Sequence, residues 1–188
     1  MKYNFLIFLL LQSLFLFGQS NYRIANYSMT IKGTSNLHAW QSKVNEVRAN
    51  GGLQTEGTAL KAIQWLNVEI PVKTIKSEKG SIMDNKTYDA LQASNHPNIS
   101  FKLEKTAGIN KSGDGYNINA SGYLTIAGTA KKIDLYVYGK VNGDGSISFS
   151  GSKKLNMTDY NIKPPTALMG TLTTGNEVEI VFQFTLKQ

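Results

Sequence analysis

Strict alternation of apolar and polar residues constrains the fold of this chain more than any other feature. Successive side chains of a β-strand point to opposite faces, so alternation predicts strands with one buried face. The last segment shows the pattern most clearly, with five apolar residues on one parity: Val178, Ile180, Phe182, Phe184 and Leu186. The same pattern recurs in four earlier segments, at residues 99–103, 116–126, 132–141 and 146–157.

The N-terminal part alternates less regularly. The apolar parity changes between Ile24 and Tyr27, which predicts a β-bulge near Ala25 or Asn26. Residues 43–53 predict a weaker strand. This half therefore joins the same sheet with local irregularities.

Residues 58–72 contain apolar residues on both parities. Leu60, Leu66 and Val68 share one parity, whereas Ile63 and Trp65 have the other. The pattern predicts that Ile63 and Trp65 point outward. Such a pair is either covered by a neighbouring segment or exposed as a contact surface.

Turn sequences separate the consecutive strands. Gly113-Asp114-Gly115 and Asn142-Gly143-Asp144-Gly145 contain the residues that tight hairpins need, because Gly and Asn tolerate positive φ. Short connections favour antiparallel neighbours. About eight or nine strands with one apolar face bury those faces together and lose their exposed edges by closing into a barrel. We therefore predict an all-β fold, an antiparallel β-barrel.

One short α-helix interrupts the strands. Ser81 followed by Asp84 resembles a capping box. Four residues then share one helical face: Met83, Thr87, Tyr88 and Leu91. The helix ends before Asn95-His96-Pro97, because the residue before a proline avoids helical angles. We expect this helix to cover part of the barrel.

Residues 1–20 have the composition of a secretory signal peptide. Lys2 precedes a run, Phe5–Phe17, in which eleven of thirteen residues are apolar, and small residues follow at Gly18 and Ser20. The run is shorter than the roughly 20 residues of a membrane-spanning helix, although an uncleaved anchor is the alternative. We predict cleavage near residues 18–20, leaving residues 21–188 as one domain. The chain has no cysteine, which with export is typical of a bacterial periplasmic or secreted protein.

The net charge of +7 favours no particular partner. Basic residues are scattered, and the only adjacent lysines are Lys131-Lys132 and Lys153-Lys154. A solvated surface is the simplest interpretation, with transient contact with a membrane surface as an alternative. Tyr136 and Tyr138 lie between Lys132 and Lys140 on the outward face of one strand, which comes close to the pattern of nucleic-acid binders. Outward tyrosines are common on strands for packing reasons alone, and the predicted export argues against this target, so we predict no nucleic-acid partner. The sequence does not predict an oligomeric state.

The residues also predict neither catalysis nor a metal site. The chain has two histidines, His38 and His96, and neither lies in a catalytic arrangement. A zinc site needs three or four ligands at characteristic spacing, which two isolated histidines do not supply. Glycine patterns for phosphates or dinucleotides are missing. We therefore predict a protein that is not an enzyme and has no cofactor.

Five blocks, in order, resemble the YceI-like family of exported polyisoprenoid- and lipid-binding proteins. They are Gly33–Trp40, Leu91–Phe101, Gly122–Lys131, Thr158–Pro165 and Gly175–Ile180. The resemblance implies a lipocalin-like antiparallel β-barrel of about eight strands with one short α-helix. It also implies an elongated interior that holds a long isoprenoid tail. No catalytic residues are implied.

The inward side chains are the candidate ligand-binding residues. Burying hydrocarbon contributes about 0.8 kcal/mol per CH₂, so a lipid needs few polar anchors. The candidates on the barrel lining and the helix face are Met83, Tyr88, Leu91, Phe101, Leu124, Ile126, Leu135, Val137, Phe149, Met157, Ile180, Phe182 and Phe184. We predict that they surround an apolar lipid. The alternative is a filled barrel, an interaction or stress-response protein without a stable ligand.

Overall fold

The computed structural model describes residues 20–167 and 170–188, and the predicted signal peptide lies outside them except for Ser20. The described chain has one α-helix, α1 (Ser81–Ala90), and two short 3-10 helices, Val72–Thr74 and Met157–Tyr160. Its strands are β1 (Ser20–Ser35), β2 (Ala39–Val44), β3 (Arg48–Glu56), β4 (Ala59–Pro71), β5 (Ile75–Ser77), β6 (Asn98–Ser112), β7 (Gly115–Ile126), β8 (Thr129–Val141), β9 (Ile147–Asn156), β10 (Thr166–Ala167) and β11 (Leu172–Lys187).

Eight of these strands form a closed circuit. The order is β1, β3, β4, β6, β7, β8, β9 and β11, and β11 pairs again with β1. Strands β2 and β5 extend from β1, and β10 pairs with β11. Every pairing is antiparallel, and consecutive strands β6 to β9 are joined by short turns. The predicted all-β, lipocalin-like barrel with one short helix is confirmed.

The predicted bulge in β1 is present. The pairing of β1 with β11 shifts between Ile24 and Asn26, which puts one unpaired residue into β1. The shift lets Tyr22 on one side and Met29 on the other both turn inward, and both are buried. The change of parity in the sequence is therefore the sign of this bulge.

The single weak strand predicted over residues 43–53 is wrong. Strand β2 ends at Val44 and β3 begins at Arg48. Between them the Asn45 N–H donates to the carbonyl of Thr74 at 3.0 Å, so the chain leaves the β2–β5 pairing there. Val47 is nevertheless buried, and it anchors this connection in the core.

The outward orientation predicted for Ile63 is also wrong. The pairing of β3 with β4 shifts where Gly52 faces Trp65 and Leu53 faces Ile63, so Gln64 is an extra residue in β4. This residue reverses the parity, and Ile63 packs with the interior residues around Leu53. Trp65 adjoins the inward Leu66 and lies on the other face.

The predicted capping box at Ser81 does not form. The residue before the helix is Gly80, with φ 84°, and no side chain caps the first turn. Asp84 instead accepts a hydrogen bond from the Ser77 N–H at 2.6 Å, and its other oxygen lies 3.3 Å from Lys76 Nζ. Since Asp84 is buried, it fixes the start of α1 against β5.

Buried side chains form a cluster at each end of the barrel. The cluster near the β6–β7 and β8–β9 hairpins includes Leu53, Ile118, Ile147 and Leu186, and it closes that end. The other cluster lies beside α1 and includes Val72, Ile75, Ile99 and Tyr160. Packed side chains therefore close one end of the barrel, whereas α1 lies beside the other end.

The predicted β6–β7 hairpin is present, with Gly113 at φ 56°, and it leads to a pH prediction. Asp114 accepts hydrogen bonds from the Lys140 ammonium and the Tyr138 hydroxyl, which lower its carboxyl pKa from 3.8 to about 2. The hydrogen bonds to the Asp114 carboxylate therefore stabilise the folded protein fully above about pH 4, and this stabilisation is lost as the pH falls toward 2. An NMR titration of the carboxyl should show a midpoint near 2, and Lys140→Ala should raise it.

Asp144 in the β8–β9 turn is the control. Its pKa is lowered by hydrogen bonds from Ser146, so Lys140→Ala should leave its titration unchanged. An Asp114 midpoint at 3.8 in the unaltered protein would contradict the hairpin geometry.

Candidate functional site

Two apolar chambers lie in the barrel interior. The outer chamber is next to α1 and has a volume of about 260 Å³. The inner chamber lies toward the closed end and has a volume of about 130 Å³. Each exceeds the roughly 10–15 Å³ that one water molecule needs on the same measure. The barrel is therefore not filled by its own side chains.

The inner chamber has almost purely hydrocarbon walls. Aromatic rings of Phe101, Phe149, Phe182 and Phe184 contribute to them, and the Phe149 and Phe184 centroids are 5.3 Å apart. Lys153 is the one charged residue on these walls. Its Nζ donates to the carbonyl of Asp134 at 2.9 Å, so only the aliphatic stem faces the chamber. Such walls favour an apolar occupant over water.

A ring of isoleucines separates the two chambers. Five residues line both, and all five are isoleucines from five different strands: Ile31, Ile75, Ile99, Ile126 and Ile180. We call this set the isoleucine ring. It presents no polar atom from its side chains, so this boundary favours an apolar group over a polar one.

The outer chamber has a polar rim where it reaches the surface. Ser35, His38, Lys79, Lys86 and Thr87 belong to its walls, and His38 and Lys79 are exposed. The Lys86 ammonium donates to the carbonyl of Thr166 at 2.9 Å, across the opening from α1. The rim can therefore hydrogen-bond or attract a polar or anionic group, whereas the hydrocarbon walls of the inner chamber cannot.

His38 and Ser35 do not form a nucleophile and base. The Ser35 hydroxyl donates to the backbone carbonyl of His38 at 2.8 Å, and His38 Nδ1 lies 2.7 Å from the carbonyl of Ala39. Both side chains thus make the local hydrogen bonds expected of a turn. In residues 20–167 and 170–188 no three His, Asp or Glu side chains cluster as metal ligands, and no helix is long and apolar enough to span a bilayer.

Trp40 is a wall residue that the sequence reasoning missed. Its indole lies flat against Gly33, its partner on β1, where any Cβ would come within 2.3 Å of the ring. The indole N–H donates to the carbonyl of Thr34 at 2.9 Å. Gly33 is therefore needed for this close approach, and Ser35, His38 and Trp40 of the Gly33–Trp40 block line the outer chamber.

Tyr160 was also missed. It lines the outer chamber, it is 2% exposed, and its hydroxyl has no hydrogen-bond partner among the described residues. Burial, with a smaller contribution from the Asp159 charge, raises the pKa of Tyr160 to about 12. An unsatisfied buried hydroxyl costs about 1–3 kcal/mol. The group stays neutral and remains a donor at physiological pH.

Twelve of the thirteen predicted ligand-binding residues lie on the chamber walls. Met83, Leu91 and Met157 line the outer chamber, and Ile126 and Ile180 belong to the ring. The remaining seven line the inner chamber: Phe101, Leu124, Leu135, Val137, Phe149, Phe182 and Phe184. Their contact with a ligand stays a prediction.

Tyr88 is the exception. Its hydroxyl donates toward the carbonyl of Lys73 at 2.8 Å and accepts from Lys76 Nζ at 2.7 Å. These bonds turn the side chain toward the segment before β5, and Tyr88 lines neither chamber. The prediction that Tyr88 faces inward from the helix is correct, since its ring packs against the buried cluster. Its hydroxyl, however, is bonded to Lys73 and Lys76 and draws the side chain away from the chambers.

Solved structures share this architecture. A polyisoprenoid binding domain from Saccharophagus degradans, described as implicated in plant cell wall breakdown, aligns with a TM-score of 0.69 at 12% identity, covering 90% of this chain and 99% of that one. BcnA from Burkholderia cenocepacia aligns with a TM-score of 0.66 at 18% identity, covering 85% and 95%. The YCEI protein of Campylobacter jejuni gives a TM-score of 0.60 at 20% identity, covering 78% and 84%. At these identities the likeness shows a shared fold.

The sequence itself identifies the family. No curated protein matches the chain. The profile of the YceI-like domain, however, matches residues 20–186, which include nearly all of the described barrel. The resemblance found in the sequence blocks is thereby confirmed, and the chain belongs to the YceI-like family.

Proposed function

We propose that this protein binds a long-chain apolar ligand, a polyisoprenoid or isoprenoid-quinone-like lipid, and carries or stores it inside the barrel. The observation that carries the proposal is the pair of adjoining apolar chambers, which share the isoleucine ring as a common wall. Membership of the YceI-like family and the likeness to a polyisoprenoid binding domain support it.

The ligand would lie with its hydrocarbon end in the inner chamber and its polar end near the rim. Charged or hydrogen-bonding head groups find the exposed side chains of His38 and Lys79 at the rim, whereas the Lys86 ammonium is already bonded to the carbonyl of Thr166. The inner chamber offers a polar head group no free partner, since its one ammonium, on Lys153, is already bonded to a carbonyl. Burying an unpaired polar group there is costly. The opposite orientation is therefore unfavourable.

Hydrocarbon burial alone supplies enough free energy. A chain of ~15 carbons offers on the order of 10 kcal/mol gross at about 0.8 kcal/mol per CH₂. The entropic cost of association is about 4–15 kcal/mol. Longer chains exceed this cost clearly, so binding needs neither a cofactor nor a catalytic group. We accordingly propose a binding protein without enzymatic activity.

We further propose that the protein acts in the periplasm or outside the cell, after cleavage near residues 18–20. The apolar run Phe5–Phe17 and the small residues after it support export. An intact mass measured on the purified protein reports the cleavage site.

Organic extraction of the protein purified from its native host tests the ligand. Mass spectrometry of the extract should show a single class of long-chain lipid at about one molecule per protein, because one chain would occupy both adjoining chambers. A protein heated to unfold and washed before extraction is the control for lipid bound to the surface. An extract without stoichiometric lipid would favour the alternative, an interaction or stress-response protein.

A further inference from the structure

Two large aliphatic side chains are exposed to solvent beside the rim of the outer chamber. Among the described residues, the exposed large hydrophobic side chains are Leu37 (71%), Ile82 (73%), Tyr123 (46%) and Tyr136 (73%). The two tyrosines have a polar end, whereas Leu37 and Ile82 are purely hydrocarbon. Leu37 lies between the wall residues Ser35 and His38, and Ile82 precedes the wall residue Met83. Both aliphatic side chains thus stand at the opening.

The exposure of Leu37 is imposed by a hydrogen-bonded loop. The Ser35 hydroxyl accepts from the N–H of Leu37 at 3.3 Å and from that of His38 at 3.2 Å. Asn36 is bonded to residues 171–173 through its backbone N–H and through its side-chain amide, at 2.8–3.1 Å. The loop therefore holds Leu37 away from the protein surface.

Ile82 is held equally firmly, and it has lysines around it. It lies in the first turn of α1, which Asp84 ties to β5. Lys86 is four residues further on, so it lies on the same helical face, and Lys79 directly precedes the helix. The carboxylate of Glu78 accepts a hydrogen bond from the Gln41 amide at 2.6 Å. We call Leu37, Lys79, Ile82 and Lys86 the mouth face.

We propose that the mouth face docks on the surface of a lipid bilayer that contains anionic lipids. Exposed aliphatic side chains insert between head groups, and neighbouring lysines are attracted to anionic head groups. The chamber opening then faces the bilayer, so an apolar chain passes between bilayer and barrel without crossing water. This inference rests on the proposed lipid-binding function and adds the surface and the partner.

A second basic surface serves as the comparison. Lys131-Lys132 and Lys153-Lys154 come together where the pairing of β8 with β9 ends, beyond Val137 and Gly151. Two of these lysines pair with carboxylates, Lys132 with Glu104 and Lys154 with Glu177. This groove also contains Asp134 and Asp159, and it has no exposed aliphatic side chain. It matches a bilayer surface less well than the mouth face does.

Vesicle binding tests the proposal. The probe is vesicles of phosphatidylcholine with about one quarter phosphatidylglycerol, sedimented with purified protein whose N-terminal cleavage is verified by intact mass. We expect Leu37→Ser with Ile82→Ser to lower the partition coefficient about tenfold. Lys79→Glu with Lys86→Glu should lower it on the order of tenfold or more, and added salt should weaken binding.

The matched control is Tyr136→Ser with Lys131→Glu, which removes an equally exposed large side chain and a lysine from the barrel wall. Its partition coefficient should equal that of the unaltered protein. Equal loss in the control, unaltered binding by the mouth-face variants, or no binding by the unaltered protein would each overturn the proposal. Circular dichroism shows whether each variant is folded.

Binding of geranylgeraniol in detergent-free solution separates this proposal from the function on which it rests. Leu37 and Ile82 line neither chamber, so their double variant should bind geranylgeraniol as the unaltered protein does. Protein that binds geranylgeraniol but not vesicles overturns the docking alone. Protein that binds vesicles through the mouth face but takes up no isoprenoid overturns the proposed function alone.

Discussion

Replacing Ile180 by tryptophan should shorten the isoprenoid chain that the protein retains. Ile180 is half-buried, lies on β11 opposite Ile31, and belongs to the isoleucine ring. An indole at this position blocks the passage to the inner chamber. Each five-carbon unit excluded from that chamber forfeits about 4 kcal/mol of gross burial energy at about 0.8 kcal/mol per carbon. Affinity for geranylgeraniol should therefore fall by up to about three orders of magnitude.

A series of prenols of increasing length measures this effect. In the Ile180→Trp variant, affinity should stop increasing at a shorter chain than in the unaltered protein, while the shortest prenols still bind in the outer chamber. Ile180→Val keeps the passage open and should retain the full series. Glu179→Trp places the same indole on the opposite face of β11 and should also have no effect on chain length. Identical length profiles for all four proteins would contradict a ligand that passes through the ring.

Leu186→Ala should destabilise the protein much more than Leu135→Ala. Leu186 is 0% exposed in the cluster at the closed end, so the substitution leaves a new cavity and should cost about 2–5 kcal/mol of unfolding free energy. Leu135 already borders the inner chamber and is only partly buried, so its replacement removes less buried surface. Its replacement should cost about 2 kcal/mol or less in the ligand-free protein.

Urea unfolding of the delipidated proteins, followed by circular dichroism, measures both free energies. Saturating geranylgeraniol should stabilise the unaltered protein, because a ligand bound only by the folded state raises the unfolding free energy. The Leu135→Ala variant should gain less from the ligand, since its enlarged chamber packs the chain less well. Equal destabilisation by the two substitutions, with no effect of ligand, is the result expected of a filled barrel.

The inward face of the strands was predictable because its cause is local. Phe101, Leu135 and Phe182 line the inner chamber as their parity predicts, since the strand segments around them pair without a bulge. The prediction failed for Ile63, where an extra residue in β4 reverses the parity. A bulge is not visible in the apolar pattern when residues of both parities are apolar.

Other site residues carried no usable periodic signal. Ile75 belongs to a strand of three residues, which is too short to show alternation. Trp40 lines the outer chamber because Gly33 leaves room for its indole, and this contact depends on the pairing of β1 with β2. Tyr88, in contrast, was predicted to line the ligand site and does not. The helical pattern places its ring inward but contains no information about the hydrogen-bond partners of its hydroxyl.

The amino-acid sequence by itself determined the long strands from residue 98 onward, the turns between them and the closed antiparallel barrel, since one-sided apolar strands have few other ways to bury that side. It also determined which side chains turn inward along most strands. Only the tertiary structure decided that the interior is hollow and divided by five isoleucines. The physical reason is that parity is a relation between adjacent residues. The size of a cavity depends instead on how far side chains from distant strands reach across the barrel.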